Sequence, residues 1–105
     1  MSNASKGSRM ERIALQQDLK EGWKLMPGGR AVRTRFQNND VFSIADYVVW
    51  KDGKRKYVQV CDANHWKPHF AKLQAWLKYR LGNEEIELAV YKKRKGRYGW
   101  KRVVL

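Results

Sequence analysis

The chain is 105 residues long and 43% hydrophobic, enough for one packed domain with a modest core and too short for two. That apolar content excludes wholesale disorder, and no apolar run approaches the roughly 20 residues needed to span a bilayer. Twenty-three Lys and Arg against ten Asp and Glu leave a formal charge of +13, so a polyanion is the first partner to consider.

In chain order, residues 1–7 are small and polar and are expected to form a flexible segment ahead of a single domain over 8–105. Ser8-Arg9-Met10-Glu11 has the spacing of a capping box, in which the serine oxygen and the glutamate carboxylate each satisfy the other's backbone N–H. It predicts a helix to about Glu21, with Met10, Ile13, Ala14 and Leu19 near one face and Gly22 just past the end. Pro27-Gly28-Gly29 reads as a loop. Ala31 to Phe36 alternates Val32, Thr34 and Phe36 with Arg33 and Arg35, which predicts a first strand with one basic face. Gln37 to Asp40 turns the chain. Ile44 to Trp50 is an apolar second strand, Asp52-Gly53 a two-residue hairpin turn, and Lys56 to Ala63 the antiparallel partner. On that partner Val58 and Val60 point one way, and Tyr57, Gln59 and Cys61 the other.

Pro68 suits the first turn of a second helix, in which Phe70, Leu73, Trp76 or Leu77, and Leu81 recur at helical spacing before Gly82. Ile86 to Tyr91 and Trp100 to Leu105 follow as strands around a basic turn, Lys92 to Gly99. The predicted order is αβββαββ. This is an α/β (α+β) domain with a central mixed sheet flanked by helices, its third and fourth strands parallel across the second helix.

Such a charge surplus repels itself in the folded state, and nucleic acid is the usual source of countercharge, with steeply salt-dependent binding. A basic surface without a particular ligand and an acidic membrane are the competing readings. Against the membrane, no basic amphipathic helix with a clear apolar face stands out. The single cysteine, Cys61, rules out an internal disulfide framework and suits a reducing compartment. With no apolar stretch over Met1 to Gly7, no secretory signal is expected there. A cytoplasmic protein of prokaryotic, viral or mobile-element context is the expectation.

Asp46 lies inside an apolar run, where a carboxylate is costly to bury unless hydrogen-bonded or bound to a cation. Gln59, across the hairpin, is polar in an equally apolar setting. Two oxygens from adjacent strands form a seat for a hard divalent ion such as Mg²⁺. Each residue also has a structural reading. Asp46 could bond a backbone or arginine partner, Gln59 be a half-buried strand residue, Glu11 only close the capping box, and Cys61 be inert. Cys61, His65 and His69 have a spacing suggestive of zinc, but Pro68 disfavours a helix through both histidines and a fourth ligand is missing. Trp66 and Trp100 are either packing residues or platforms for unpaired bases. Lys92-Lys93-Arg94-Lys95-Gly96-Arg97 holds five cations in six residues, a composition suited to phosphate.

Three segments together resemble the PD-(D/E)XK phosphodiesterase superfamily, in particular its small Holliday-junction-resolvase-like or VRR-NUC-like members. Lys6-Gly7-Ser8-Arg9-Met10-Glu11-Arg12 resembles their first helix, Asn39 to Asp46 the approach to their metal-binding aspartate, and Tyr57-Val58-Gln59-Val60-Cys61 their (Glu/Gln)-X-Lys strand. The resemblance implies a restriction-endonuclease-like core and Mg²⁺- or Mn²⁺-dependent endonuclease activity on DNA, branched or junction DNA included, with RNA not excluded. It implies a homodimer. It assigns metal binding to Asp46, Gln59 and the Val60 carbonyl, with Glu11 near by to orient a metal-bound water or a second ion. Lys6, Arg9, Arg33 and Arg35, with the tip residues Lys93, Arg94, Lys95 and Arg97, would hold phosphates. Where the family places a lysine this chain has Cys61, and a neutral thiol cannot stabilise developing negative charge as a cation does. Lys67, six residues on, and Lys56 are the candidate substitutes for that lysine, and sequence alone places neither. A nucleic-acid-binding module that has kept the scaffold and lost catalysis is the alternative.

Overall fold

The computed structural model describes residues 3–30, 32–33, 38–39 and 44–105, with side chains over 9–30 and 44–105. Helix α1 (Asn3–Lys20) is followed by strand β1 (Lys24–Arg30), by β2 (Val32–Arg33) and β3 (Asn38–Asn39), and by the hairpin β4 (Tyr47–Lys51) and β5 (Lys54–Asp62). Helix α2 (Trp66–Trp76) runs into a short 3₁₀ turn, Leu77–Tyr79, before β6 (Glu84–Arg94) and β7 (Arg97–Val104). A five-stranded sheet has the order β1-β4-β5-β6-β7, and β2 pairs with β3 in a separate two-stranded sheet. The large sheet is mixed: β5 and β6 are parallel and its other pairs antiparallel. A strand–helix–strand connection is what lets two neighbours run parallel, as expected from the helical spacing between them.

Alternation along the strands divides the core into two layers. Tyr47, Val49, Val58, Val60, Ala89 and Tyr91 meet Met10, Ala14 and Leu15 of α1. Val48, Tyr57, Cys61, Ile86 and Leu88 face the other way, toward Leu73 of α2. The opposite facing of Val58 and Val60 against Tyr57 and Cys61 follows the period of two expected of β5. Asp52 and Gly53 both adopt positive φ, 50° and 79°, the type I′ geometry that matches strand twist and fixes the β4–β5 register. Lys95 and Gly96 repeat it at the β6–β7 turn, with φ of 49° and 78°.

Several boundaries differ from expectation. The first helix begins at Asn3, so Ser8 lies inside it and cannot be its N-cap. Its buried face is Met10, Ala14, Leu15 and Asp18, whereas Ile13 and Leu19 are each 37% exposed. Asp18 occupies the inward position because basic partners meet it there. Pro27-Gly28-Gly29 is no free loop but an irregularity within β1, where Leu25 pairs with Val49 and Arg30 with Tyr47. An edge strand tolerates the proline, and a Cβ on Gly29 would meet the Val48 carbonyl at 2.8 Å, so only glycine fits. Of the strand expected over Ala31 to Phe36, the described part is Val32–Arg33, and Asn38–Asn39, expected in a turn, is its partner. The second strand starts at Tyr47, leaving Asp46 just ahead of it. Helix α2 stops short of Leu81, which is 62% exposed, because Glu84 takes the Leu81 N–H and the Tyr57 hydroxyl and holds the chain in an extended path. The basic tip is a two-residue turn rather than an eight-residue one, so Lys92, Lys93, Arg94 and Arg97 sit on strands.

Candidate functional site

The β4–β5 hairpin places Tyr47 opposite Val58, and therefore brings Asp46 beside Gln59. The Asp46 N–H donates to the Val58 carbonyl at 2.8 Å, which extends the pairing one residue beyond the strand. Asp46 is 3% exposed and Gln59 4%. Asp46 Oδ2 accepts the Val60 N–H at 2.7 Å and the Gln59 amide N–H at 3.0 Å. The same amide nitrogen reaches the Val60 carbonyl at 3.4 Å. Among the described residues Gln59 Oε1 is buried without a hydrogen-bond partner.

This corner holds the three oxygens that the family resemblance would assign to a cation. Two of them, Asp46 Oδ2 and the Val60 carbonyl, face the Gln59 NH₂, a partial positive charge. The third, Gln59 Oε1, is turned away and unsatisfied, at a desolvation cost of about 1–3 kcal/mol. A half-turn of the amide exchanges its nitrogen for its oxygen and would bring all three acceptors to one place. A carboxylate, an amide oxygen and a backbone carbonyl are hard donors, so the set fits Mg²⁺ or Mn²⁺ and not zinc. Among the described residues no three His, Cys, Asp or Glu side chains gather to hold a metal, Cys61, His65 and His69 included.

Cys61 follows on the same strand, 5% exposed, its thiol pushed up to about 11 by burial and then by the charges of Asp46 and Asp62. It is neutral at physiological pH. Tyr91, beside Asp62 in the β5–β6 register, is raised by burial, then by the charge of Asp62, and to a smaller degree by Glu11. Glu11 on α1 is thus part-buried and within electrostatic reach of this end of the sheet. Lys67 is exposed in the first turn of α2. Lys56 is excluded as a substitute for the missing lysine, because its ammonium is committed elsewhere.

That commitment is to a second polar cluster, on the α1 side of the sheet, which sequence reasoning missed. Asp18 accepts from Lys56 Nζ at 2.6 Å, from Arg102 at 2.8 Å and from the Tyr47 hydroxyl. Glu87 closes the circuit, 3.5 Å from Lys56 Nζ and 2.7 Å from Arg102. Arg102 also donates to the Ala14 carbonyl at 2.8 Å, and Lys56 lies 4.5 Å above the Trp23 ring. Burial opposes the Arg102 charge, but Tyr47, Asp18 and Glu87 more than offset it and its pKa rises; burial and the Asp18 carboxylate raise that of Tyr47. The signal was present in the helix: Asp18 lies eight residues from Met10 and four from Ala14, on the face that the periodicity buries.

The expected phosphate contacts divide between two faces. Arg9 and Lys93 both lie over Tyr98, at 5.9 and 5.8 Å from its ring centre, on the α1 side. Arg94 and Arg97 pair across the β6–β7 hairpin and Lys95 sits in its turn. The side chains of Lys6 and Arg33, and the whole of Arg35, lie outside the described residues. Trp100 packs against Tyr91 with ring centres 5.7 Å apart, a core contact, whereas Trp66 is 40% exposed. Asp18, Asp46, Glu84 and Glu87 are buried, four of the chain's ten acidic residues. Lys56 is the one basic residue buried to that degree among those described, so the surface is more positive than composition alone implies. No helix among the described residues is long and apolar enough to cross a membrane. Comparisons with protein-family models, with curated proteins and with solved structures found no match to this chain.

Proposed function

We propose that this protein is a metal-dependent, endonuclease-like protein acting on DNA, with Mg²⁺ or Mn²⁺ held by Asp46, Gln59 and the Val60 carbonyl on a restriction-endonuclease-like core. One observation carries the reading: Gln59 Oε1 is buried and unpartnered beside a buried carboxylate whose neighbour is the same glutamine's NH₂. A cation would replace the NH₂ as the positive group and engage the orphan oxygen. Bound there, it supplies a Lewis acid and a water of lowered pKa for phosphodiester hydrolysis. Asp46 would orient it, Glu11 would act from α1, and the basic surface would hold the flanking phosphates. By the family resemblance the protein would work as a homodimer on branched or junction DNA, and its single cysteine suits the cytoplasm.

The test is incubation with plasmid and synthetic junction DNA in Mg²⁺ or Mn²⁺. Cleavage that falls by roughly a hundredfold or more in Asp46→Ala is the expected result. No cleavage by the wild-type protein, with no cation binding detectable by calorimetry, overturns it.

A specific observation favours a second reading, a binding module that has lost catalysis. Cys61 is buried and neutral where the family carries a cation, and Lys56 is locked to Asp18 and Glu87. Tight, salt-sensitive DNA binding without cleavage selects this reading. Cys61→Lys should then restore detectable cleavage, since one electrostatic donor is worth about a hundred- to a thousandfold. A folded Cys61→Lys variant that gains nothing, together with loss of activity in Lys67→Ala, would assign the donor to Lys67 instead.

A further inference from the structure

Helix α2 covers only part of its side of the sheet, and beside it a groove of about 650 Å³ opens over β6 and β7. That volume falls within the roughly 300–1,000 Å³ of sites that enclose a small ligand. Leu88, Val90 and Val103 form an apolar floor, because alternate residues of both strands point to this face. Gly99, opposite Lys92, leaves it open where a side chain would stand. Trp66 and Phe70 form the wall, edge to face with ring centres 5.8 Å apart. Lys92, Arg94 and Lys101 line the same groove, and among the described residues no carboxylate does.

We infer that this groove binds single-stranded nucleic acid, with an unpaired base against Trp66 and the apolar floor and its phosphates on Lys92, Arg94 and Lys101. The charge complementarity is one-sided: three cations meet an apolar, aromatic slot, which suits a chain that alternates flat bases with anionic phosphates. A paired duplex keeps its bases stacked and cannot fill the slot. The inference rests on the nucleic-acid reading above but not on its metal seat, and it names unpaired strand as the feature recognised.

Binding of a ten-residue oligothymidylate and of a blunt duplex of equal charge is measured by anisotropy and by quenching of tryptophan emission. The single strand is expected to bind more tightly. Trp66→Ala should weaken it by roughly ten- to a hundredfold while Trp66→Phe keeps most of the affinity. Replacing Lys92, Arg94 and Lys101 together by alanine should lower the slope of log K against log salt by about 2. A thermal melt unchanged by Trp66→Ala shows that the fold survives. Asp46→Asn should leave single-strand binding intact, which separates the two sites. Single-strand binding by Trp66→Ala equal to that of the wild type overturns the groove and leaves nucleic-acid binding standing; absence of binding to either oligonucleotide overturns both.

Discussion

Asp18 and Gln59 are both almost wholly buried, at 1% and 4% exposure, and yet their polar atoms are answered differently. Around Asp18, two carboxylates and two cations neutralise one another, with Tyr47, Gln17 and the Ala14 carbonyl completing the hydrogen bonds. That cluster ties α1 to β4, β5, β6 and β7. Gln59 donates its amide to Asp46 Oδ2, which also accepts the Val60 N–H, but among the described residues nothing donates to Gln59 Oε1. A buried polar network that closes on itself stabilises a fold and needs no ligand. One that leaves an oxygen open stays costly until something positive arrives.

The largest expected effect breaks the closed cluster. Asp18→Ala leaves Lys56 and Arg102 short of a buried counter-charge and should cost about 3–5 kcal/mol in urea unfolding. Asp46→Asn keeps an acceptor oxygen for the Val60 N–H and should cost less than about 1 kcal/mol. Equal losses would erase the distinction between the two regions.

Next in size is the response to metal. At a concentration a hundred times its Kd, Mg²⁺ or Mn²⁺ should stabilise the wild-type protein by about 2.7 kcal/mol. The gain should vanish in Asp46→Asn and persist in Asp18→Asn, read as a shift in melting temperature at fixed ionic strength. A smaller and more diagnostic change is Gln59→Glu. A second carboxylate beside Asp46 should lower metal-free stability by about 1–3 kcal/mol, since like charges cannot both ionise comfortably there. Added Mn²⁺ should then recover more stability than it adds to the wild type. If Gln59→Glu melts the same with and without Mn²⁺, the corner is structural.

The smallest effect concerns Cys61. Its folded pKa, about 11, lies above the value near 9 of a free thiol, so the folded state holds the proton more tightly. The stability this contributes is complete below about pH 8.5, falls as pH rises toward 11 and is gone above it. The difference in stability between wild type and Cys61→Ser should therefore change across that window and be flat below it. Alkylation of Cys61 in the native protein at pH 8 should correspondingly be slow. A rapid reaction would mean that the thiol is reached by solvent and is no part of a buried corner.

Much of the frame was legible before any coordinates. Asp52-Gly53 marked the hairpin because a two-residue turn needs two positive φ angles and few residue pairs supply them. The helix around Leu73 marked the parallel pair, and the alternation in Tyr57 to Cys61 marked which side chains share a face. Asp46 and Gln59 were brought together by that hairpin alone. Less was legible where local signals competed. Ser8 has the right spacing for a cap, yet Asn3 and Ala4 let the helix start earlier. Pro27-Gly28-Gly29 looks like a loop because nothing local says that Val48 will approach Gly29. Lys56 looks like one more surface lysine, since both of its acidic partners are far along the chain.

By itself, then, the sequence determined the alternation, the tight turns, the sign of the surface and the pairing of Asp46 with Gln59, all of which depend on residues within a few positions or one hairpin of each other. Only the tertiary structure decided which buried polar groups are answered. Asp18 meets Lys56 and Arg102, 38 and 84 residues away, whereas Gln59 Oε1 meets no donor among the described residues. Hydrogen-bond satisfaction belongs to neighbours assembled by packing, and no spacing along the chain encodes it.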